Sequence, residues 1–381
     1  MIKVRQVLLY SAVPFFFLAA SCVRENSSRK QDIHVQQMSG FPNQEFGYEL
    51  GVSACYSGII GNKLVMAGGC NFAGKSAAEG GAKYFYKGIY TAEITGDSVL
   101  VWKQVGELPS PVAYGVSISR SGEMILIGGN NADGGLTSVF RLKLAEDGGA
   151  ILDTLPSLPF ALDNMSGAAS GNTIYVAGGN RNGSPSTSML SLNLDEPELG
   201  WKEEVPFPGA ARVQPVCAVQ DGMLYLWGGF CPSQNGGEAS VATDGYRYLP
   251  LQERWEPVPA PAVAETGEPL TLTGGTSCVW SDSIILCTGG VDKDIFLDAI
   301  SGDYKRIAKE DYLLQPVAWY RFNGRLMAYN TRRNHWEEWE ESACLARAGA
   351  ALLGKGQQLF IVGGELKPGI RTAEISRITI K

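Results

Sequence analysis

The dominant pattern in the chain is a short, wholly apolar run that ends in two glycines. The copies are KLVMAGG ending at Gly69, EMILIGG at Gly129, TIYVAGG at Gly179, MLYLWGG at Gly229, IILCTGG at Gly290 and QLFIVGG at Gly364. Each run is too short for a helix and lacks apolar–polar alternation, which predicts a strand buried on both faces. An apolar, small-residue strand and a turn precede each copy, as in VSACYSGIIGN, AYGVSISRSG and SCVWSDS. Most copies are followed by a third strand and then by a fourth that carries tryptophan or apolar residues: VWKQVGELP, ILDTLPSLP, GWKEEVPFP, RWEPVPAP and HWEEWEES.

Units of this kind, recurring at about 50 residues, predict an all-β fold, a six-bladed β-propeller of the Kelch type. A single blade cannot bury both faces, so blades stack around an axis. The glycine pair is expected where the chain leaves the second strand close to that axis, with no room for a Cβ and with positive φ. The fourth-strand tryptophans are expected to fill the space between blades. The sixth repeat has three strands before Lys381, whereas DIHVQQMSGFP, residues 32–42, has the character of a fourth. This N-terminal strand is expected to complete the last blade and remove two exposed sheet edges. Two intervals exceed the period: Cys70 to Lys87 in blade 1, and Val291 to about Tyr320 in blade 5, the latter with helix-like spacing across DAISGDYKRIAKEDYLLQ. Both join second to third strands, so they are expected to meet over one end of the central channel, where such loops build sites.

Composition narrows the partners. The 381 residues include 47 glycines and 19 prolines with no Gly-X-Y period, 45% are hydrophobic, and the net charge of −7 comes with no basic stripe. A nucleic-acid partner is therefore not expected. Residues 1–22 read as a bacterial secretion signal, with Lys3 and Arg5 before an apolar stretch and LAASC at 18–22. Processing is expected either as a lipoprotein acylated on Cys22, giving a lipid anchor in the membrane, or by ordinary cleavage near Cys22. Residues 23–31 read as a polar tether and 32–381 as the propeller. The expected location is the periplasm or outer membrane of a Gram-negative-type bacterium. The seven other cysteines form no CxxC pair and specify no disulfide. The two histidines, His34 and His335, lack ligand spacing, so neither a metal nor another cofactor is expected.

Three stretches resemble the N-acetylneuraminate epimerases, bacterial sialic acid mutarotases, in a cyclically permuted arrangement. They are GGELKPGIRT at 363–372, AGGCNFAGKSAAEGGAKYFYKGIY at 67–90 with VAYGVS at 112–117, and GGVDKDIF at 289–296. The chain departs from the family in having Val112 where an arginine usually precedes AYGVS, and Ala78-Glu79-Gly80 where the family has His-Glu-Gly. The resemblance implies anomer exchange of a free sugar acid, a small-molecule partner, with Glu365 as proton acceptor. Arg371 follows after the turn-forming Lys367-Pro368-Gly369, and its planar guanidinium suits bidentate capture of a carboxylate. Without the resemblance, the same two residues read as a surface ion pair.

Further candidates for binding the substrate are Asn71, Glu79, Lys83 and Tyr84 on the blade-1 insertion, with an ordered, solvated loop as the alternative. Arg212 either reaches the substrate from a loop into blade 4 or neutralises buried carbonyls. Asn130, Asn180 and Arg181 follow glycine pairs, where they either meet sugar hydroxyls or satisfy tight turns. Tyr312 is a candidate cover for the sugar. The chief alternative function is a non-catalytic Kelch propeller that binds glycan or protein at the cell surface. Sialidase chemistry is disfavoured because no Ser-x-Asp-x-Gly-x-Thr-Trp box is present, and copper-oxidase chemistry because histidine is scarce. Oligomeric state has no signal in the sequence.

Overall fold

A computed structural model describes residues 31–233 and 237–381; residues 1–22, expected to be a secretion signal ending at Cys22, and residues 23–30 lie outside the described residues. Six four-stranded antiparallel sheets make the blades. Blade 1 comprises Tyr56–Ile60, Lys63–Ala67, Gly88–Glu93 and Trp102–Glu107. Blade 2 comprises Val116–Arg120, Glu123–Ile127, Val139–Leu144 and Ala150–Thr154. Blade 3 comprises Ser166–Ser170, Thr173–Ala177, Met189–Asn193 and Lys202–Glu203. Blade 4 comprises Val216–Gln220, Met223–Trp227, Gly245–Leu249 and Arg254–Val258. Blade 5 comprises Thr276–Ser281, Ile284–Thr288, Arg325–Asn330 and His335–Glu341. Blade 6 comprises Ala351–Lys355, Gln358–Val362, Ile375–Ile380 and the N-terminal Ile33–Met38. The first strands pack on one another in a closed cycle that returns from blade 6 to blade 1.

The N-terminal strand closes the ring as expected: Ile33–Met38 pairs antiparallel with Ile375–Ile380, from Ile33↔Ile380 to Met38↔Ile375. Its following segment also supplies a latch. Trp102 of blade 1 donates its indole N–H to the Gly40 carbonyl, just as Trp201 donates to Pro156, Trp255 to Val205 and Trp336 to Pro259, each time toward the tail of the preceding blade. A large apolar ring with one polar atom suits this seam between blades.

Continuous apolarity in the second strands follows from burial on both faces. In Lys63–Ala67, Leu64 and Met66 join a core with Phe360, Val362 and Ile375 of blade 6. The alternate residues Val65 and Ala67 join a core with Met124 and Leu126 of blade 2. The same division gives a core between each further pair of neighbouring blades.

The glycine pairs seal those interfaces next to the axis. Both glycines of every pair have positive φ, for example 57° and 97° at Gly128 and Gly129. The second glycine's N–H donates to the loop that leads into the following blade: Gly69 to Val112, Gly129 to Leu162, Gly179 to Arg212, Gly290 to Arg347 and Gly364 to Val52. Gly229 uses the Thr273 hydroxyl instead. Two residues after each of those carbonyl positions, and one after Thr273, lies a residue in the left-handed conformation: Tyr114, Asn164, Gln214, Gly349, Ala54 and Gly274 respectively. Their backbones form one cyclic chain of hydrogen bonds. Tyr114 N–H donates to Ala54 O, Asn164 to Tyr114, Gln214 to Asn164, Gly274 to Gln214, Gly349 to Gly274 and Ala54 to Gly349, at 2.6–3.1 Å. This collar borders a central cavity of about 230 Å³.

The blade-5 insertion is helical, but its helix begins earlier than the sequence spacing suggests. It spans Lys293–Ser301, because the Asp292 carboxylate accepts from the N–H groups of Asp294 and Ile295, and it stops at Gly302, φ 80°. A single turn at Lys309–Tyr312 and a 3-10 turn at Val317–Tyr320 follow.

A Cβ at Gly128 would lie 2.5 Å from the Leu162 carbonyl oxygen, on a backbone with φ 57°. Gly128→Ala is therefore expected to lower stability by about 2–3 kcal/mol. Urea unfolding followed by tryptophan fluorescence checks this, and an unchanged midpoint would contradict the latch.

Candidate active site

The residue after each glycine pair lies beside the collar. Cys70, Asn130, Phe230 and Glu365 form backbone bridges with Ser53, Ala113, Val213 and Ala348, and Asn180 pairs with Asp163. Five of the six equivalents are neutral: Cys70, Asn130, Asn180, Phe230 and Val291. Glu365 alone among them carries an acid.

Glu365 opens a tight hairpin, Glu365–Lys367 with Ile370–Arg371, in which Glu365 and Arg371 are cross-strand partners. The turn is closed by Gly369, φ 85°. A Cβ on Gly369 would come within 2.7 Å of Ala77 on the blade-1 insertion. Two residues before the turn glycine, Lys367 donates its Nζ to the carbonyls of Leu313 and Gln315, at 3.0 and 2.5 Å, on the blade-5 insertion. The two insertions thus converge on the blade-6 hairpin, in keeping with the expected meeting at one end of the channel.

Within the hairpin, Arg371 Nη2 pairs with Glu365 Oε1, the side chains being 3% and 22% exposed. The Arg371 Nε donates to Ser53 Oγ at 3.1 Å. Its guanidinium carbon lies 4.9 Å from the centre of the Phe72 ring, a cation–π arrangement. Nη1 is buried and has no hydrogen-bond partner among the described residues. A buried guanidinium with an uncommitted N–H is poised for an anionic ligand, because leaving that donor unpaired is unfavourable. Burial raises the Glu365 pKa above the ordinary carboxylate value, and the opposing charges of Arg371 and Lys83 do not cancel the rise.

Lys83 belongs to this group. Its ammonium acts on Glu365 and lies 4.5 Å from the centre of the Tyr114 ring. Tyr114 is one of the collar residues, and its phenolic oxygen accepts from the Cys70 thiol at 3.5 Å. Tyr312 is buried, and burial, followed by the neighbouring Tyr320 and Tyr304 and then by the Glu365 charge, raises its pKa. Glu365, Arg371, Lys83 and Tyr312 of the sequence candidates therefore come together. Tyr114, Cys70, Ser53 and Phe72 join them without having been singled out as site residues. The only prior signal for Tyr114 was its position in VAYGVS.

The remaining candidates have other employment. Asn71 is 2% exposed. Its amide donates to the carbonyls of Gly47 and Gly51, at 2.7 and 2.9 Å, and accepts from the Tyr86 hydroxyl at 2.8 Å, so its role is structural rather than ligand-binding. Arg212 is also structural: its guanidinium is buried against Asp244 and the carbonyls of Ala210 and Gly228. Arg347 repeats that role in blade 6, on Gly363 O and Glu374. Glu79 is exposed and accepts from Ser76 Oγ at 2.6 Å. Tyr84 is exposed and packs on Tyr86 and Phe46. Arg181 is exposed, lies over the Phe160 ring at 3.9 Å and pairs with Glu203. Asn180 holds Asp163 through its amide at 2.8 Å. Asn130 is half-buried, and its backbone is bridged to Ala113.

Because Arg371 lowers the Glu365 pKa and burial raises it, Arg371→Met is expected to move the Glu365 titration to still higher pH. Carboxyl ¹³C NMR checks the shift; a downward or null shift would contradict the geometry.

The sequence matches the family model of N-acetylneuraminate epimerase over residues 18–151 and 155–381. It is similar to the N-acetylneuraminate epimerase of Haemophilus influenzae strain PittEE, 33% identical over 228 residues, which are 58% of each chain. It is also similar to that of Salmonella arizonae, 33% identical over 232 residues, 59% of this chain and 58% of the relative. The chain thus aligns with somewhat under two thirds of the length of these relatives.

Proposed function

Since the chain belongs to the N-acetylneuraminate epimerase family, we propose that it is an isomerase that interconverts the α and β anomers of free N-acetylneuraminic acid by acid/base ring opening. The observation that carries this reading is the Glu365–Arg371 pair beside the collar, with Arg371 Nη1 buried and unpartnered. The carboxylate of the sugar acid, attached to its anomeric carbon, is bound by Arg371. That contact brings the anomeric hydroxyl to Glu365, which removes its proton as the ring C–O bond breaks. The open-chain ketone turns about the bond to its carbonyl carbon and closes on the other face. The proton held by Glu365 then returns to the new anomeric oxygen. Lys83 adds positive charge on the side of the bound anion. The Lys367 contacts support water exclusion by tying the blade-5 insertion to the catalytic hairpin. A carboxylate whose pKa burial raises, beside a buried guanidinium with an uncommitted donor, suits acid/base chemistry, which favours catalysis over a non-catalytic module that binds glycan or protein.

Glu365→Gln is expected to abolish accelerated anomer exchange, measured by proton NMR on N-acetylneuraminic acid, while the circular dichroism spectrum stays unchanged. Exchange at the wild-type rate would refute Glu365 as the base. In the wild type, the rate should rise with pH through the Glu365 titration, at a midpoint above the ordinary carboxylate value, because only the deprotonated form accepts the proton.

The N-terminal segment supports a second part of the proposal. The protein is exported to the periplasm or outer membrane and anchored through an acylated Cys22, on the strength of the charged start, apolar run and LAASC. Metabolic labelling with radioactive palmitate should mark the wild type and not Cys22→Ser; unlabelled wild type would leave ordinary cleavage.

A further inference from the structure

Opening the sugar ring requires a second proton, delivered to the ring oxygen as its bond to the anomeric carbon breaks. Glu365 cannot supply it while accepting the first. Side chains near Glu365 that carry a transferable proton are Lys83, Tyr312, Tyr114 and Cys70, whose thiol hydrogen is directed to the Tyr114 oxygen. Lys83 is exposed and has its ammonium over the Tyr114 ring, 4.5 Å from its centre. Tyr312 belongs to the blade-5 insertion, whereas Tyr114 is built into the collar itself.

The collar makes Tyr114 informative. Every collar residue has left-handed φ, and at two of the six positions the chain uses glycine, Gly274 and Gly349. Glycine therefore satisfies the backbone requirement. A bulky side chain at φ 60° is disfavoured, so an aromatic residue there is not explained by the scaffold. Strain held in place by surrounding structure points to a use for the side chain. The backbone of Tyr114 is fixed on both sides, by its N–H to Ala54 O and its carbonyl from Asn164 N–H, at 2.9 and 2.8 Å. The phenolic oxygen accepts from Cys70, and its own hydrogen has no acceptor among the described residues. The charges of Glu365 and Arg371 both act on it.

Resting on the anomer-exchange reading above, we propose that Tyr114 is the general acid that protonates the ring oxygen. In the opening step, Glu365 takes the proton of the anomeric hydroxyl, whose O–H electron pair becomes the second bond of the new carbonyl. The C–O ring bond breaks, its electron pair stays on the ring oxygen, and that oxygen takes the phenolic proton. The products are a ketone, a hydroxyl, protonated Glu365 and the Tyr114 phenolate, which Arg371 and Lys83 stabilise. Closure on the opposite face reverses each transfer, so the enzyme returns to its starting state with no other reactant. The groups facing the phenol are Cys70, Glu365, Arg371 and Lys83. Burial, Cys70 and Glu365 hold its pKa well above the ordinary phenol value, against the pull of Arg371, so the protonated acid form persists at neutral pH.

The test is NMR anomer exchange with N-acetylneuraminic acid, using wild type, Tyr114→Phe and Tyr312→Phe, across a pH series. Tyr114→Phe is expected to lower kcat by about 10²- to 10⁴-fold with KM within about threefold of wild type, and to lose any alkaline limb of the rate profile. Should Tyr114→Phe fold poorly, replacement of Tyr114 by a fluorinated tyrosine is expected to move that limb to lower pH. A Tyr114→Phe enzyme as active as wild type, an unmoved limb, or the full loss appearing only in Tyr312→Phe would overturn the assignment. If the wild type does not accelerate exchange at all, the anomer-exchange reading fails first and takes this assignment with it. An active wild type with a fully active Tyr114→Phe removes Tyr114 alone.

Discussion

The structure depends on a closed belt of backbone hydrogen bonds around the channel, one from each collar residue to its neighbour. A hydrogen bond of this kind contributes modestly on its own. Its importance is geometric, because it fixes the innermost point of every blade against the next. The glycine pairs make that approach achievable by leaving out side chains where the next loop's carbonyl sits within about van der Waals distance. The tryptophan latches hold the periphery in the same sense. Closure by Ile33–Met38 then leaves the last blade paired like the other five.

On this nearly symmetric frame, function arises from broken symmetry. The equivalents of Glu365 are a thiol, two amides and two apolar side chains, all uncharged. Only in blade 6 does the hairpin return an arginine opposite an acid. Only there do two long insertions press from either side, through Ala77 against Gly369 and through Lys367 on Leu313 and Gln315. The result is a desolvated carboxylate held beside a cation that keeps one donor uncommitted. Burial and charge oppose one another at Glu365, and burial prevails, which makes the carboxylate more basic than an exposed one.

Much of this was legible in one dimension. The six glycine pairs, the double-sided burial of second strands and the character of residues 32–42 all follow from local patterning, which repeats because each blade meets the same environment. Glu365 and Arg371 were legible as neighbours because a short turn joins them, and as a site through the resemblance of GGELKPGIRT to the epimerase family. The helix of the blade-5 insertion was legible in kind but not in position, since the Asp292 cap and the Gly302 stop outweighed the apolar spacing. The sequence left open whether Asn71 and Arg212 meet a ligand or serve the scaffold, because their partners, Gly47 and Gly51 for one and Asp244 for the other, are distant in sequence.

By itself, then, the amino-acid order determined the repeat, the number of blades, the strand that closes the ring and the placing of Glu365 and Arg371 on one hairpin. These depend on contacts within a unit or on a pattern every unit shares. Tertiary structure decided which polar side chains gather around Glu365 and Arg371 and which are committed to the scaffold. It also decided that Tyr114, marked in sequence only by its place in VAYGVS, stands with Glu365, Arg371 and Lys83. The physical reason is that burial and hydrogen-bond satisfaction depend on loops from several blades, and those loops are brought into register only when the belt around the axis closes.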